Sequence, residues 1–292
     1  IFISFIWGFS LYFFILVFFE SNFCLLILYL ELVALLVIPL CCFNNFGFVG
    51  FGNRYVAVYT LFLVSSVSSL FLLYGWVVSS YYLIYLGLII KLGLYPFCWW
   101  VPVVMEVNDF FFIFYVILFY KLPLVFVCQL GGGLNYWLFL FLVLFSFIFC
   151  VNSLLLVPCY SRLLGSWYVS SSLVILLCVY SVSFNILFVL FFFGWLYGFI
   201  LLFCFRGFLF EESCLSSLLR VESVYFIFIF LSLPFSLSIF YKLLSCYCVF
   251  LVSFWFFLFW CLYQIVEQLW VFNLLFFLCD FGDFSEESFR LL

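Results

Sequence analysis

The chain has 292 residues, of which 72% are apolar and 7% charged, with a net charge of −4 and a mean hydropathy of +1.50. Soluble domains run at roughly half apolar and a quarter charged, so too few polar side chains are present to clothe a globular surface, and the bulk of the chain must face lipid. The absence of histidine excludes a Cys/His zinc site.

The organising unit is therefore the membrane span of about 20 apolar residues. Apolar runs and the breaks between them predict about ten helices, near 2–19, 23–43, 55–78, 81–104, 110–129, 134–151, 166–182, 184–205, 223–244 and 247–268. Glu20-Ser21-Asn22 divides the first pair and Asn44 to Arg54 the second. Glu106 to Asp109, Gly131 to Asn135 and Asn152 to Ser161 punctuate the middle, and Arg206 to Glu222 is the one long polar connection. The predicted architecture is all-α: a polytopic transmembrane bundle over 1–270, broken at prolines, and a solvated acidic tail over 271–292 that carries Asp283, Glu286 and Glu287.

The arginines give an independent check. Arg54 falls between predicted helices two and three, Arg162 between six and seven, Arg206 and Arg220 between eight and nine, and Arg290 after ten. All lie on the side that holds the N-terminus, which is the positive-inside asymmetry. It places both termini on the inner face.

Fourteen cysteines are present, mostly single within apolar runs and never as a CxxC pair, so they read as small hydrophobes. No phosphate loop, dinucleotide fingerprint or nucleophile elbow occurs, and the chain is expected to hold neither metal nor cofactor. The surplus of Phe (52 residues) and the dearth of Pro (six) and Met (one) match codons of a T-rich, strand-biased genome of the kind found in organelles.

Against this background the lysines stand out. Every arginine is in a loop or at a helix end, whereas Lys91, Lys121 and Lys242 fall within predicted spans, as does Glu31. An ionisable residue at a helix centre costs about 2.5–3.5 kcal/mol on the insertion scale. Structural ion pairs or lysines snorkelling to the interface are the plain alternative. The separation of Lys from Arg points elsewhere: arginine stays charged, whereas a buried lysine can give up its proton near neutral pH. This pattern suggests a proton relay. Pro96 follows Lys91 by five residues, Pro123 follows Lys121 by two, Pro234 precedes Lys242 by eight and Pro39 follows Glu31 by eight. Helix breaks beside ionisable groups are a recurring transporter design. Ser65, Ser66, Ser68 and Ser69, and Ser170 to Ser172, serve either close helix packing or a polar path.

These residues resemble a known family. The run Lys91-Leu92-Gly93, Pro96-Phe97, Trp100 and Pro102 is similar to the Lys-Leu-Gly-x-x-Pro-Phe-His-x-Trp-x-Pro motif of the chain 2 family of NADH–ubiquinone oxidoreductase, the antiporter-like membrane subunits of respiratory complex I. Lys121-Leu122-Pro123, Leu30-Glu31 through Ile38-Pro39, and Leu233-Pro234 with Lys242 follow in the family's order and spacing, over about residues 20–270. The resemblance implies an antiporter-like bundle in the mitochondrial inner membrane, with both termini in the matrix. It implies a hydrophilic midplane axis in which Glu31 pairs with and modulates Lys91, Lys121 is the central relay and Lys242 serves the distal exit. It further implies that the chain acts as a subunit of a proton-translocating NADH:ubiquinone reductase beside other membrane subunits. NAD, FMN, iron–sulfur clusters and ubiquinone would be bound by partner subunits, and no nucleic-acid partner is expected.

The departures are specific. Cys98 stands where the family has histidine, the family's Ala-Tyr-Ser-Ser stretch is faint around Arg162 to Tyr168, and Ser238 occupies a glycine position after Leu233-Pro234-Phe235. An acidic tail takes the place of an eleventh helix. The competing reading is a stand-alone proton- or cation-coupled transporter with similar broken helices, although no inverted repeat carrying a substrate pocket is visible.

Overall fold

A computed structural model describes residues 5, 8–10, 12–13, 15–16, 20, 22–43, 51–106, 110–118, 121, 136–156, 160–181, 186, 189–200 and 237–280. Among these residues the regular structure is helical throughout, with no strand. The helices are α1 (Phe23–Phe43), α2 (Phe51–Val77), α3 (Tyr81–Leu92), α4 (Trp100–Met105), α5 (Phe110–Leu118), α6 (Tyr136–Leu156) and α7 (Tyr160–Ser181), then α8 (Val189–Ile200), α9 (Leu237–Val252) and α10 (Phe254–Asp280). Two segments, Tyr55–Val77 in α2 and Phe254–Asn273 in α10, are long and apolar enough to cross a membrane.

Several boundaries differ from the sequence expectation. The span expected over 81–104 is two helices, α3 and α4, with an irregular stretch between them. α7 starts at Tyr160, so Arg162 belongs to its first turn instead of to the loop before it. The break expected near 245–246 falls inside α9, and the chain turns at Ser253 instead. There the Ser253 hydroxyl accepts the Phe256 N–H at 3.3 Å, an N-cap for α10 of the kind serine favours. α10 continues to Asp280, ten residues beyond the expected end of the bundle at 270. The breaks expected at Pro123 and Pro234 and the tail after 280 lie outside the described residues.

α2 and α3 form a tight hairpin. The Ser80 N–H donates to the Gly75 carbonyl at 2.8 Å and the Ser79 N–H to the Trp76 carbonyl at 3.1 Å, so α2 ends in a Schellman motif. Ser79 takes the left-handed position, with φ of 53°. Small residues let the two helices close. A Cβ on Gly87 would come within 2.8 Å of the Ser68 carbonyl, and one on Gly75 within 2.8 Å of the Ile84 nitrogen. The small-residue reading of the serine stretch is thus visible in this contact.

The core is aromatic. Trp100, Tyr115, Tyr168, Trp260, Tyr263, Phe112 and Phe147 are fully buried, and Trp100 meets Tyr168 edge-on, with ring centres 5.8 Å apart. Lys91 is buried as deeply as these rings, at 1% exposure.

Candidate functional site

Lys91 lies in the last turn of α3, not at the middle of a long span. The helix stops because of glycine. Gly93 adopts φ 65° and ψ 39°, its N–H donates to the Ile90 carbonyl at 3.2 Å, and the Leu94 N–H reaches back to the Ile89 carbonyl at 3.0 Å. This is again a Schellman ending, completed three residues before Pro96. The sequence reading credited the break to the proline; the left-handed glycine makes it, and Pro96 sits in the stretch that follows. The indole N–H of Trp100 also donates to the Ile90 carbonyl, at 3.2 Å, and the Tyr95 N–H donates to the Ser146 hydroxyl of α6 at 3.2 Å. The end of a helix carries the negative pole of its dipole, which favours a cation there.

The counter-ion of Lys91 comes from α1. Its ammonium donates to Oε1 of Glu31 at 3.3 Å, while the Ser65 hydroxyl of α2 meets Oε2 of the same carboxylate at 3.4 Å. Three helices thus converge on one carboxylate that is 23% exposed. α1 runs through Pro39 to Phe43 without interruption, so the expected break beside Glu31 is not made. A proline inside a helix removes one donor, and the flanking turns can hold the segment helical.

Lys121 sits in a turn beyond α5, which ends at Leu118, and not inside a helix. The side chain is buried, with 4% exposure. Its ammonium donates to the Tyr168 carbonyl at 2.7 Å and to the Ser171 hydroxyl, both on α7. It also stands 3.8 Å from the centre of the Tyr168 ring and 6.0 Å from that of Trp167, a cation–π arrangement. No carboxylate lies within ion-pairing distance of Lys121 among the described residues. A cavity of about 40 Å³ adjoins it, lined in part by Ser171, Trp195 and Tyr241, and a water needs only about 10–15 Å³ of such space.

Lys242 occupies the first half of α9 and pairs with Glu267 of α10 at 2.7 Å. Glu267 was not singled out from the sequence. It sits with Gln264 and Gln268 near the expected end of a span, where polar residues read as an interface, but α10 runs thirteen residues further. A lone carboxylate in the apolar run from Phe254 to Phe277 was the available signal.

The structure therefore places each sequence-selected ionisable residue against a partner. Glu31 and Lys91 come together, whereas Lys121 and Lys242 each have separate partners. Cys98 is buried beside Trp100, and Cys150 donates to the Ser166 carbonyl at 3.7 Å; among the described residues no group of His, Cys, Asp or Glu is arranged to hold a metal. No protein-family model and no curated protein matches the chain.

Proposed function

We propose that this chain is a polytopic membrane subunit that relays protons through Lys91, Lys121 and Lys242, with Glu31 modulating the first. One observation carries the reading: all three lysines are buried within an apolar helical chain, and the middle one has no counter-ion among the described residues. A charged lysine held only by a carbonyl, a hydroxyl and a ring is the member of such a series best able to give its proton away. Lys91, tethered by Glu31, holds its proton until that carboxylate is neutralised. Protonation of Glu31 then frees Lys91 to discharge toward Lys121.

The scale is reasonable. Moving one charge through about 100 mV costs about 2.3 kcal/mol, and a change of about two pKa units at one lysine supplies about 2.7 kcal/mol.

With the motif around Lys91 to Pro102, this reading extends to an antiporter-like bundle of about ten helices in the chain 2 family of NADH–ubiquinone oxidoreductase. On this reading it lies in the mitochondrial inner membrane with its termini in the matrix. Other membrane subunits flank it, and partners hold NAD, FMN, the iron–sulfur clusters and ubiquinone. The test is to solubilise the native membrane gently and separate complexes by size. Comigration of this chain with NADH–quinone reductase activity in a very large assembly is expected. Migration as a monomer or small oligomer away from that activity would overturn the reading in favour of an independent transporter.

A further inference from the structure

The Lys242–Glu267 pair has two unlike sides. Glu267 is 1% exposed, and its Oε1 takes the ammonium of Lys242 at 2.7 Å. Its other oxygen, Oε2, is buried and makes no hydrogen bond of good geometry among the described residues, while the Tyr263 hydroxyl lies close to the carboxylate. The titratable groups that interact electrostatically with the carboxylate are Tyr263 of its own helix, Tyr197 of α8, Tyr241 of α9 and Cys150 of α6; Cys246 interacts in the same way with Lys242. These tyrosines and thiols are ordinarily neutral near pH 7, so no third charge neighbours the pair among the described residues. Lys242, in contrast, lines a groove of about 350 Å³ between α9 and α10, together with Gln264, Gln268 and apolar side chains.

Packing alone gives no reason for this pair. α9 and α10 are joined through Ser253 alone, so they lie side by side without an ion pair to recruit them, and a buried pair is weak evidence for added stability. A carboxylate with one oxygen on a lysine and one open toward the core is, however, placed to accept a proton. On the core side the Tyr263 hydroxyl lies near both Glu267 and Ser170, and Ser171, the next residue, carries the bond from Lys121.

Resting on the function proposed above, we propose that Glu267 is a relay carboxylate through which a proton arriving from the Lys121 side drives one out of Lys242. The exchange balances. A proton binds Oε2 and converts the carboxylate to a neutral acid. Lys242, deprived of its counter-ion, hands a proton from Nζ to a water molecule entering the groove, which carries it off as hydronium, and becomes a neutral amine. The carboxyl group then turns so that its protonated oxygen takes the place of Oε1 against the amine, and the acid proton passes to Nζ across that contact, 2.7 Å in the resting pair, and restores the ion pair. One proton enters and one leaves per cycle, with no oxidant or reductant required.

The test uses the intact assembly purified from membranes, with wild type, E267Q, E267D, K242M and the E267Q/K242M double variant, whose neutral pair keeps the shape of the site. Infrared absorption near neutral pH reads the carboxyl group directly. Expected is a protonated-acid band in K242M that disappears in the double variant. Proton uptake by reconstituted vesicles should fall at least tenfold in E267Q and stay within threefold of wild type in E267D, with the double variant no worse than either single. An E267Q assembly that translocates like wild type, or a K242M spectrum without the acid band, overturns the role of Glu267. If wild-type vesicles translocate no protons, the underlying transport reading falls, and the relay falls with it.

Discussion

The ammonium of Lys121 is gripped by both ends of a single residue: it lies 2.7 Å from the carbonyl oxygen of Tyr168 and 3.8 Å from the centre of that residue's ring. Tyr168 is fully buried on α7, so the site for the ammonium lies within the core. A compact ammonium can use a carbonyl, a hydroxyl and a ring face at once. The guanidinium of arginine is larger and does not release its proton. On the function proposed, K121R and K121M are therefore expected to lower the rate of proton uptake by reconstituted vesicles by at least about tenfold, equivalent to about 1.4 kcal/mol of barrier. Both should leave the chain in the large assembly. Normal uptake by K121R would show that exchange of a proton at this position is not required.

Removing Glu31 takes from buried Lys91 the carboxylate it is paired with. Loss of one partner from a fully buried pair costs about 3–5 kcal/mol, and the partial exposure of Glu31, 23%, brings the expected cost of E31Q to about 2 kcal/mol. E31Q/K91M removes the buried charge as well and should recover at least half of that. Denaturant unfolding of the detergent-solubilised chain measures both. A double variant less stable than E31Q would mean that Glu31 and Lys91 are not energetically coupled.

The two Schellman endings make opposite forecasts. Ser79 is exposed and left-handed, with φ of 53°, a conformation that costs a non-glycine residue about 1 kcal/mol. S79G should raise stability by about that amount. Gly93 already has the residue its φ of 65° requires, and a Cβ there would lie 2.5 Å from Cγ2 of Val101. G93A should cost at least about 2 kcal/mol. Thermal unfolding of the pair decides the matter; equal effects would mean the backbone angle is irrelevant at one of them.

Helical glycines divide in the same way. On Gly87 a Cβ would press on the Ser68 carbonyl at 2.8 Å and on Leu72, whereas on Gly165 its nearest neighbour would be Pro102 at 3.7 Å, an ordinary contact. G87A is expected to loosen the α2–α3 hairpin at a cost of about 1–3 kcal/mol. G165A should be neutral or stabilising by up to about 1 kcal/mol, because alanine favours the helix. A destabilising G165A would show that α4 and α7 pack closer than these distances.

Much of the helical layout is legible in the apolar runs: the bounds of α1 coincide with the expected 23–43. Lysines embedded in such runs mark themselves. Their partners do not, because an ion pair such as Lys91 with Glu31 spans sixty residues and obeys no local period. The helix end at Gly93 was misattributed for a definite reason. Proline is a conspicuous breaker in sequence, whereas a glycine ends a helix only through φ and two backbone bonds that no composition rule displays. Glu267 was missed because its amide neighbours imitate an interface, and only the continuation of α10 to Asp280 reveals it as interior.

The interrupted stretch between α3 and α4 has an electrical consequence. A gap in a helix ordinarily bares peptide dipoles that water can wet, and wet dipoles leak current. In this gap the Ile89 and Ile90 carbonyls are occupied by the N–H groups of Leu94, Gly93 and Trp100, and the Tyr95 N–H is occupied by Ser146. These backbone groups are already committed to partners within the chain, so the joint offers few bare dipoles next to Lys91. On the function proposed, charge crossing this level rides on the Lys91 ammonium, and a chain working against a voltage would lose little of its gradient to short circuit there.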